Sequence, residues 1–129
     1  MFGAPSRFSG AGALYRDVDV AARVEGASPH ELIVVMFEEL LKSLDSLRAY
    51  ERSNERHRGG PAQSRALSIL HGLESSLDFQ KGGEIAANLA KIYREARRLL
   101  SVTGPERGKS LDDARTMLTS ILGAWRSIA

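Results

Sequence analysis

The side chains best suited to metal binding or proton transfer are three histidines, which lie far apart in the sequence. They are His30, His57 and His71. The chain of 129 residues contains no His-x-x-x-His pair, no Glu-x-x-His pair and no cysteine. Zinc and di-iron spacings and thiol chemistry are therefore missing. No set of residues indicates a metal or an organic cofactor, and we expect none.

One histidine raises the possibility of phosphotransfer, because phosphotransfer domains are helical bundles of about this size with one exposed reactive histidine. Such domains place a basic residue and a small residue just after it. His71 is followed by G-L-E-S-S, so that Glu74 stands where a base would help to hold phosphate. We interpret His71 as a surface or half-buried helix residue, and keep a histidine phosphotransfer domain as an alternative.

Two further features could be mistaken for catalytic elements. The glycine pair after Lys81 lacks the strand, the spacing and the following Lys-Ser/Thr of a phosphate-binding loop, so residues 78–83 are predicted to form a plain turn. The acids on the predicted helices lie mainly off the apolar stripes and are predicted to be solvated, without a coupled acid–base pair. They are Glu38, Glu39, Asp45 and Glu74. We expect a protein that is not an enzyme.

Composition and charge place the chain among ordinary globular proteins. Hydrophobic residues make up 43% and charged residues 26%, and the net charge is only +2. A nucleic-acid-binding role is disfavoured, because the arginines at 94, 97 and 98 and between 52 and 58 occupy predicted helix ends and loops. No run approaches the roughly 20 apolar residues that span a bilayer, and the N-terminus lacks the apolar core of a secretory signal. We expect a cytoplasmic protein without membrane insertion.

The stretch from Ala27 to Leu47 organises the rest of the chain. Ser28 is a good N-cap, Pro29 suits the first helical position, and Glu31 can close a capping box, so a helix is predicted from Pro29 to about Arg52. Its apolar residues recur at spacings of three and four and form one broad stripe. They are Ile33, Met36, Phe37, Leu40, Leu44 and Leu47.

Other apolar residues of this helix lie outside the stripe. Val34 and Leu41 lie about a quarter turn to one side, and Val35 points nearly the opposite way. A helix this apolar either lies at the centre of a bundle or reserves one face for a partner. Ile33, Phe37, Leu40 and Leu44 are assigned to the core.

The rest of the chain is predicted to consist of a tail and further helices. Residues 1–12 are rich in Gly, Ser and Ala and are predicted to be a flexible tail, and residues 13–129 a single helical domain. Within it we predict a short amphipathic helix over 13–24 and long helices that begin near Pro61, Glu84 and Ser110. No alternation of period two occurs. The fold class is all-α: an antiparallel four-helix bundle with a short additional N-terminal helix.

The buried stripes of the three later helices follow from the same spacing. The first comprises Ala66, Ile69, Leu70, Leu73 and Leu77; the second Ile85, Leu89, Ile92, Ala96, Leu99 and Leu100; the third Leu111, Ala114, Leu118, Ile121, Trp125 and Ile128.

Several of these segments together resemble the flagellin-specific export chaperones of the FliS family. The resemblance runs from about Tyr15 to Ile128. It depends on Tyr15-Arg-Asp-Val18 and Ala27-Ser-Pro-His-Glu-Leu-Ile33, on Leu77-Asp-Phe-Gln-Lys-Gly-Gly-Glu-Ile-Ala-Ala-Asn-Leu89, and on the final helix with Ala124-Trp125. The loop after Leu100 and the longer, Gly-rich tail depart from the family pattern.

This resemblance implies a partner and a mechanism. FliS-type chaperones bind the C-terminal segment of flagellin in the cytoplasm, keep it from polymerising early, and deliver it to the export gate of the flagellar type III secretion apparatus. The segment lies as helices in hydrophobic grooves of the bundle. A generic helical adaptor without a preference for flagellin is a further alternative.

The resemblance also leads to two sets of site residues. Val34 and Leu41, together with Val35, are assigned to the flagellin groove; the other interpretation of Val34 and Leu41 is a central helix contacted on two sides. The N-terminal helix of the family caps the groove when flagellin is absent and contacts the cytosolic domain of the export gate. Leu14, Tyr15 and Val18 are assigned to this role, although Tyr15 could simply pack its helix onto the bundle.

Overall fold

The computed structural model describes residues 19–128, and within that range it contains helices and turns but no strand. Residues 19–26 are helical and are called α1 here. The longer helices are α2 (Pro29–Arg52), α3 (Gly60–Ser75), α4 (Phe79–Leu100) and α5 (Arg107–Ser127), with 3-10 turns at Arg56–Gly59 and Gly104–Glu106. The all-α class is confirmed. The tail predicted for residues 1–12 lies outside the described residues.

The chain divides into two compact units between Val35 and Met36, within α2. In the described chain, the first unit holds α1 and the first turns of α2. The second unit holds the rest of α2 and helices α3 to α5.

The start of α2 is fixed by the cap that the sequence predicts. The hydroxyl oxygen of Ser28 accepts a hydrogen bond from the backbone N–H of Glu31 at 3.2 Å, and the same hydroxyl donates to the Glu31 carboxylate at 3.1 Å. The Glu31 side chain thus meets the Ser28 hydroxyl rather than the Ser28 backbone. The helix begins at Pro29 and ends at Arg52 as expected.

In the second unit, polar contacts between helices show that neighbouring helices run in opposite directions. Helix α2 meets α5 in reverse order, through Glu38–Arg126, Asp45–Arg115 and Arg48–Asp112. Gln63 near the start of α3 donates to the carbonyl of Leu100 at the end of α4 at 2.8 Å, and Glu74 at the end of α3 pairs with Arg94 of α4. These contacts give the antiparallel arrangement that the sequence predicts.

The core is built on the stripe of α2. Phe37, Leu40 and Leu44 are fully buried, as predicted, whereas Ile33 is half-buried. The ring of Phe37 lies 6.3 Å from that of Tyr93 in a tilted arrangement. The other large, fully buried side chains come from α3, α4 and α5: Leu70, Leu73, Leu100, Leu111 and Leu118.

Helix α4 begins five residues earlier than predicted. The Asp78 carboxylate accepts a hydrogen bond from the backbone N–H of Lys81 at 2.9 Å, so residues 79–82 form a capped helical turn rather than a plain loop. Gly83 then has φ 49° and ψ −125°, which kinks the helix. The predicted start at Glu84 is therefore wrong, because the aspartate cap extends the helix in front of the kink.

The buried face of α4 also differs from the prediction at its beginning. Ile85 is 72% exposed instead of buried. Ala86 and Ala90 are buried in its place, together with Tyr93 and Ala96. Small side chains let the helix approach its neighbours closely, and this face turns Ile85 outward because adjacent helix residues lie about 100° apart.

Helix α5 starts at Arg107 rather than at Ser110. The Arg107 guanidinium is buried and donates to the backbone carbonyls of Leu100 at 2.8 Å and Val102 at 3.0 Å, and to the Gln63 side chain at 3.1 Å. These bonds hold the preceding loop so that its 3-10 turn continues directly into the helix. Ser110 is consequently an interior, buried residue and not a cap.

The buried stripe of α5 also differs from the prediction at its C-terminal end. Ile121 and Trp125 are half-buried and Ile128 is exposed. Leu122 completes the buried row, which comprises Leu111, Ala114, Leu118 and Leu122. Burial of Ile128 was a wrong prediction, since spacing alone does not show how far along α5 its neighbours extend.

The kink at Gly83 yields a stability prediction. Gly83→Ala should lower the free energy of unfolding by about 1–3 kcal/mol, because an L-residue is strained at this φ and ψ. Gly123→Ala is the matched control: a Cβ there meets nothing within 4 Å, and alanine in an exposed helix should raise stability by about 0.5–1 kcal/mol. Urea unfolding followed by circular dichroism measures both. Equal midpoints for the two variants would contradict the strain assignment.

Candidate partner-binding surface

An open pocket of about 380 Å³ lies in the first unit, beside α1 and the first turns of α2. Val34 and Val35, two of the residues assigned to the groove from sequence, both line it. The remaining lining residues are Ala22, Arg23, Gly26, Ala27 and Glu31. Most of this wall is apolar, so the pocket could accept an apolar side chain.

The three residues assigned to the groove differ in accessibility. Val34 and Leu41 are half-buried, so part of each side chain is open to a partner. Val35 is only 5% exposed. A partner can contact much of Val35 only if the residues that cover it move.

The helix beside this pocket is weakly buried. None of the residues from 19 to 26 is buried, and only Val20 and Arg23 reach even intermediate burial. Apolar burial is the main source of helix stability in proteins, and residues 19–26 contribute little of it. The residues assigned to the cap, Leu14, Tyr15 and Val18, lie outside the described residues.

Helix α4 and the end of α5 carry apolar surface that sequence reasoning missed. Phe79 is 52% exposed and Ile85 is 72% exposed, and Ile128 is exposed too. The spacing of apolar residues assigned Ile85 and Ile128 to buried stripes, because it cannot show where the neighbouring helices end. The Gly82-Gly83 pair was the available signal, since two glycines can change the direction of a helix.

One acid on α2 is buried, contrary to the prediction that it is solvated. Glu39 is 3% exposed, and its two carboxylate oxygens accept bonds from Arg65 at 3.0 Å and Lys42 at 2.9 Å. Val35, Glu39 and Ser43 are four residues apart and all are buried, so α2 is covered on this side as well as along its main stripe. The two cations offset the cost of burying the carboxylate.

Between residues 19 and 128 no three His, Asp or Glu side chains are grouped to hold a metal ion. The ring of His71 lies 3.5 Å from the Ser75 hydroxyl. The hydrogen bond from Arg97 holds the pKa of Glu74 below its usual range, which makes Glu74 a poor proton donor near neutral pH. No helix in the described range is long and apolar enough to cross a membrane.

Comparison with known proteins gives a consistent result over nearly the whole chain. A family model described as "Flagellar protein FliS" matches residues 11–129. The chain is 34% identical over 117 residues to the flagellar secretion chaperone FliS of Salmonella typhimurium, which covers 89% of this chain and 87% of that protein. It is 28% identical over 116 residues to the flagellar secretion chaperone FliSB of Pseudomonas aeruginosa, which covers 89% and 92% of the two chains.

Proposed function

The chain belongs to the FliS family of flagellar secretion chaperones, and we propose that its substrate is the disordered C-terminal segment of flagellin. The family is one of chaperones and not of enzymes. In this proposal the protein acts in the cytoplasm, prevents premature polymerisation of flagellin, and delivers it to the cytosolic domain of the type III export gate.

The observation that carries the proposal is an open pocket beside the first turns of α2, together with half-buried apolar side chains on one side of that helix. Val34 and Val35 line an open pocket, and the helix beside it has no buried residue between 19 and 26. Leu41, which lies on the same side of α2 as Val34, is half-buried. Apolar side chains that lie together on one side of a helix and remain partly open can gain further burial when a partner covers them.

The chemistry of the substrate suits this surface. An amphipathic segment that is disordered alone folds as it lays its apolar face in a groove. Ordering that segment costs several kcal/mol, which a large apolar contact must offset. We assign Val34 and Leu41 to this contact. Val35 is buried in the free chain, and we propose that it joins the contact only after α1 has moved away.

The N-terminal helix is proposed as a displaceable cap. When flagellin is absent, Leu14, Tyr15 and Val18 would hold the segment over the groove. Displacing the cap subtracts its docking free energy from the binding free energy of flagellin. The displaced segment would then be available to the export gate, which would couple gate recognition to loading.

The groove is tested by calorimetric titration of the purified chain with the last ~40 residues of its own flagellin, a length set by the helix span that covers a bundle of this size. We expect one-to-one binding with a large negative heat-capacity change. Leu41→Ala should weaken binding roughly 3- to 12-fold, because Leu41 is already half-buried in the free chain and binding can add only about 0.7–1.5 kcal/mol of apolar burial there.

Met36→Ala is the matched control for this titration. Met36 is also a half-buried apolar residue of α2, but it lies about 140° away from Leu41 around the helix. Its methyl group lies beside Gly72 of α3, so truncation there removes a contact between helices and not the proposed groove. A folded Met36→Ala variant should bind flagellin with nearly the affinity of the wild type.

Two results would count against the groove assignment. Equal weakening by Leu41→Ala and Met36→Ala would mean that the contact is not specific to this face of α2. No binding by the well-folded wild-type chain would remove flagellin as the substrate, and acid-labile phosphate on His71 would then be the next assay.

The cap is tested by Tyr15→Ala in the same titration. Removal of the aromatic ring should tighten flagellin binding, because flagellin then has to displace a cap with a smaller docking free energy. It should leave the unfolding midpoint of the bundle unchanged. Thermal unfolding by circular dichroism is the control. Loss of the folded state, or weaker flagellin binding by a folded variant, would show that Tyr15 packs the domain or contacts the substrate instead.

A further inference from the structure

A second pocket, of about 450 Å³, lies in the other unit between the end of α3 and α4. It combines cationic, apolar and hydroxyl side chains, which the groove of α2 does not. The lining residues are His71, Glu74, Ser75, Leu77, Phe79, Arg94 and Arg97.

Two arginines dominate the charge of this pocket. The Nε of Arg94 donates to one oxygen of the Glu74 carboxylate at 3.1 Å, and the Nη1 of Arg97 donates to the other oxygen. Each guanidinium has five N–H donors, so one short contact with Glu74 uses only a small part of this capacity. Two cations around one carboxylate leave a net positive charge of one at the pocket wall.

The apolar side of the pocket depends on the turn before the kink in α4. Phe79 is 52% exposed and Leu77 is half-buried. The Asp78 carboxylate, which lies between them in the sequence, is engaged with the backbone N–H of Lys81 at 2.9 Å. The kink at Gly83 separates this turn from the rest of α4, on which Arg94 and Arg97 lie. An aromatic ring is thereby kept at the edge of a cationic pocket.

We propose that this pocket is a docking site for an acidic peptide segment of a protein partner. One carboxylate of the segment bonds the open donors of Arg94 and Arg97, and an adjacent apolar side chain packs against Phe79 and Leu77. The site is additional to the proposed flagellin groove, because none of the residues assigned to that groove lines it.

Charge and shape favour a carboxylate segment over a phosphate group or a nucleic acid. Glu74 remains charged within the pocket, because its hydrogen bond with Arg97 holds its pKa below its usual range. The net charge of one matches the one carboxylate that enters the pocket, while the other carboxylates of an acidic segment remain in solvent; a phosphate would bring two charges to the same point, where Glu74 would oppose it. Guanidinium groups also match the planar geometry of a carboxylate. The exposed aromatic ring adds an apolar contact that an inorganic anion cannot use.

The test is an NMR titration of the full, ¹⁵N-labelled chain with the acetylated and amidated peptide Glu-Glu-Phe-Glu-Glu. We expect saturable shifts of backbone signals from residues 71–79 and 94–97. The comparison probes are Gln-Gln-Phe-Gln-Gln and inorganic phosphate, which should each produce much smaller shifts at the same concentration.

Matched variants locate the site. Arg94→Gln and Phe79→Ala should each weaken peptide binding about fivefold, as expected for one charge-assisted hydrogen bond or one partly buried ring at a surface pocket. Arg98→Gln is the control for charge: Arg98 lies on the same helix, pairs with Glu95, and is 64% exposed compared with 60% for Arg94. Ile128→Ala is the control for loss of an exposed apolar side chain. Both controls should bind within about twofold of wild type, since neither residue lines the pocket.

Several outcomes would overturn the proposal. They are the absence of saturable shifts in this region, equal weakening by Arg94→Gln and Arg98→Gln, or equal responses to the glutamate and glutamine peptides. If phosphate alone reproduced the shifts, the pocket would be a simple anion site without preference for a peptide. A normal folded spectrum of each variant is required before its affinity is compared.

Discussion

Phe37, Leu40 and Leu44 of α2 are fully buried, and the large buried side chains of α3, α4 and α5 complete the same core. A second row on α2, formed by Val35, Glu39 and Ser43, is also buried. Covering one helix on so many sides requires several antiparallel neighbours and leaves little freedom in their arrangement. Val34 and Leu41 lie beyond the best-covered part of the circumference of α2 and are half-buried, and we propose that this position lets a partner contact them.

The polar side chains that are buried in this interior have hydrogen-bond or ion-pair partners. Glu39 has Arg65 and Lys42, and Arg107 has two backbone carbonyls and Gln63. In the described range, every buried side-chain nitrogen and oxygen has a hydrogen-bond partner. The bonds of Arg107 to the carbonyls of Leu100 and Val102 fix the loop between α4 and α5, and its ion pair with Glu51 at 3.8 Å helps to compensate the buried charge.

Prediction from the sequence was correct where the local chemistry of a segment and its burial in the fold agree. The Ser28 cap, the length of α2 and the core residues Phe37, Leu40 and Leu44 all followed from spacing. Prediction failed where a tertiary contact decides the outcome: the buried Arg107 moves the start of α5, and the kink at Gly83 and the alanine face of α4 expose Ile85. Spacing also placed Glu39 among solvated acids, since its cationic partner Arg65 lies on another helix.

The candidate site was predictable only in part, for the same reason. Helix geometry placed Val34 and Leu41 together, but their half-burial depends on how far the neighbouring elements reach. The resemblance to the FliS family, carried by segments such as Ala27–Ile33 and Leu77–Leu89, supplied the partner class that geometry alone does not. The cationic pocket beside Phe79 had no signal in the spacing, because its residues come from two helices and a kinked turn.

We propose that flagellin exchanges places with the N-terminal helix on α2. Hydrogen exchange followed by mass spectrometry, on the chain alone and with the C-terminal segment of its flagellin, tests this most directly. We expect amides in the first turns of α2 to become more protected and those of residues 13–26 to become less protected. Added protection over residues 13–26, or protection confined to other helices, would contradict it.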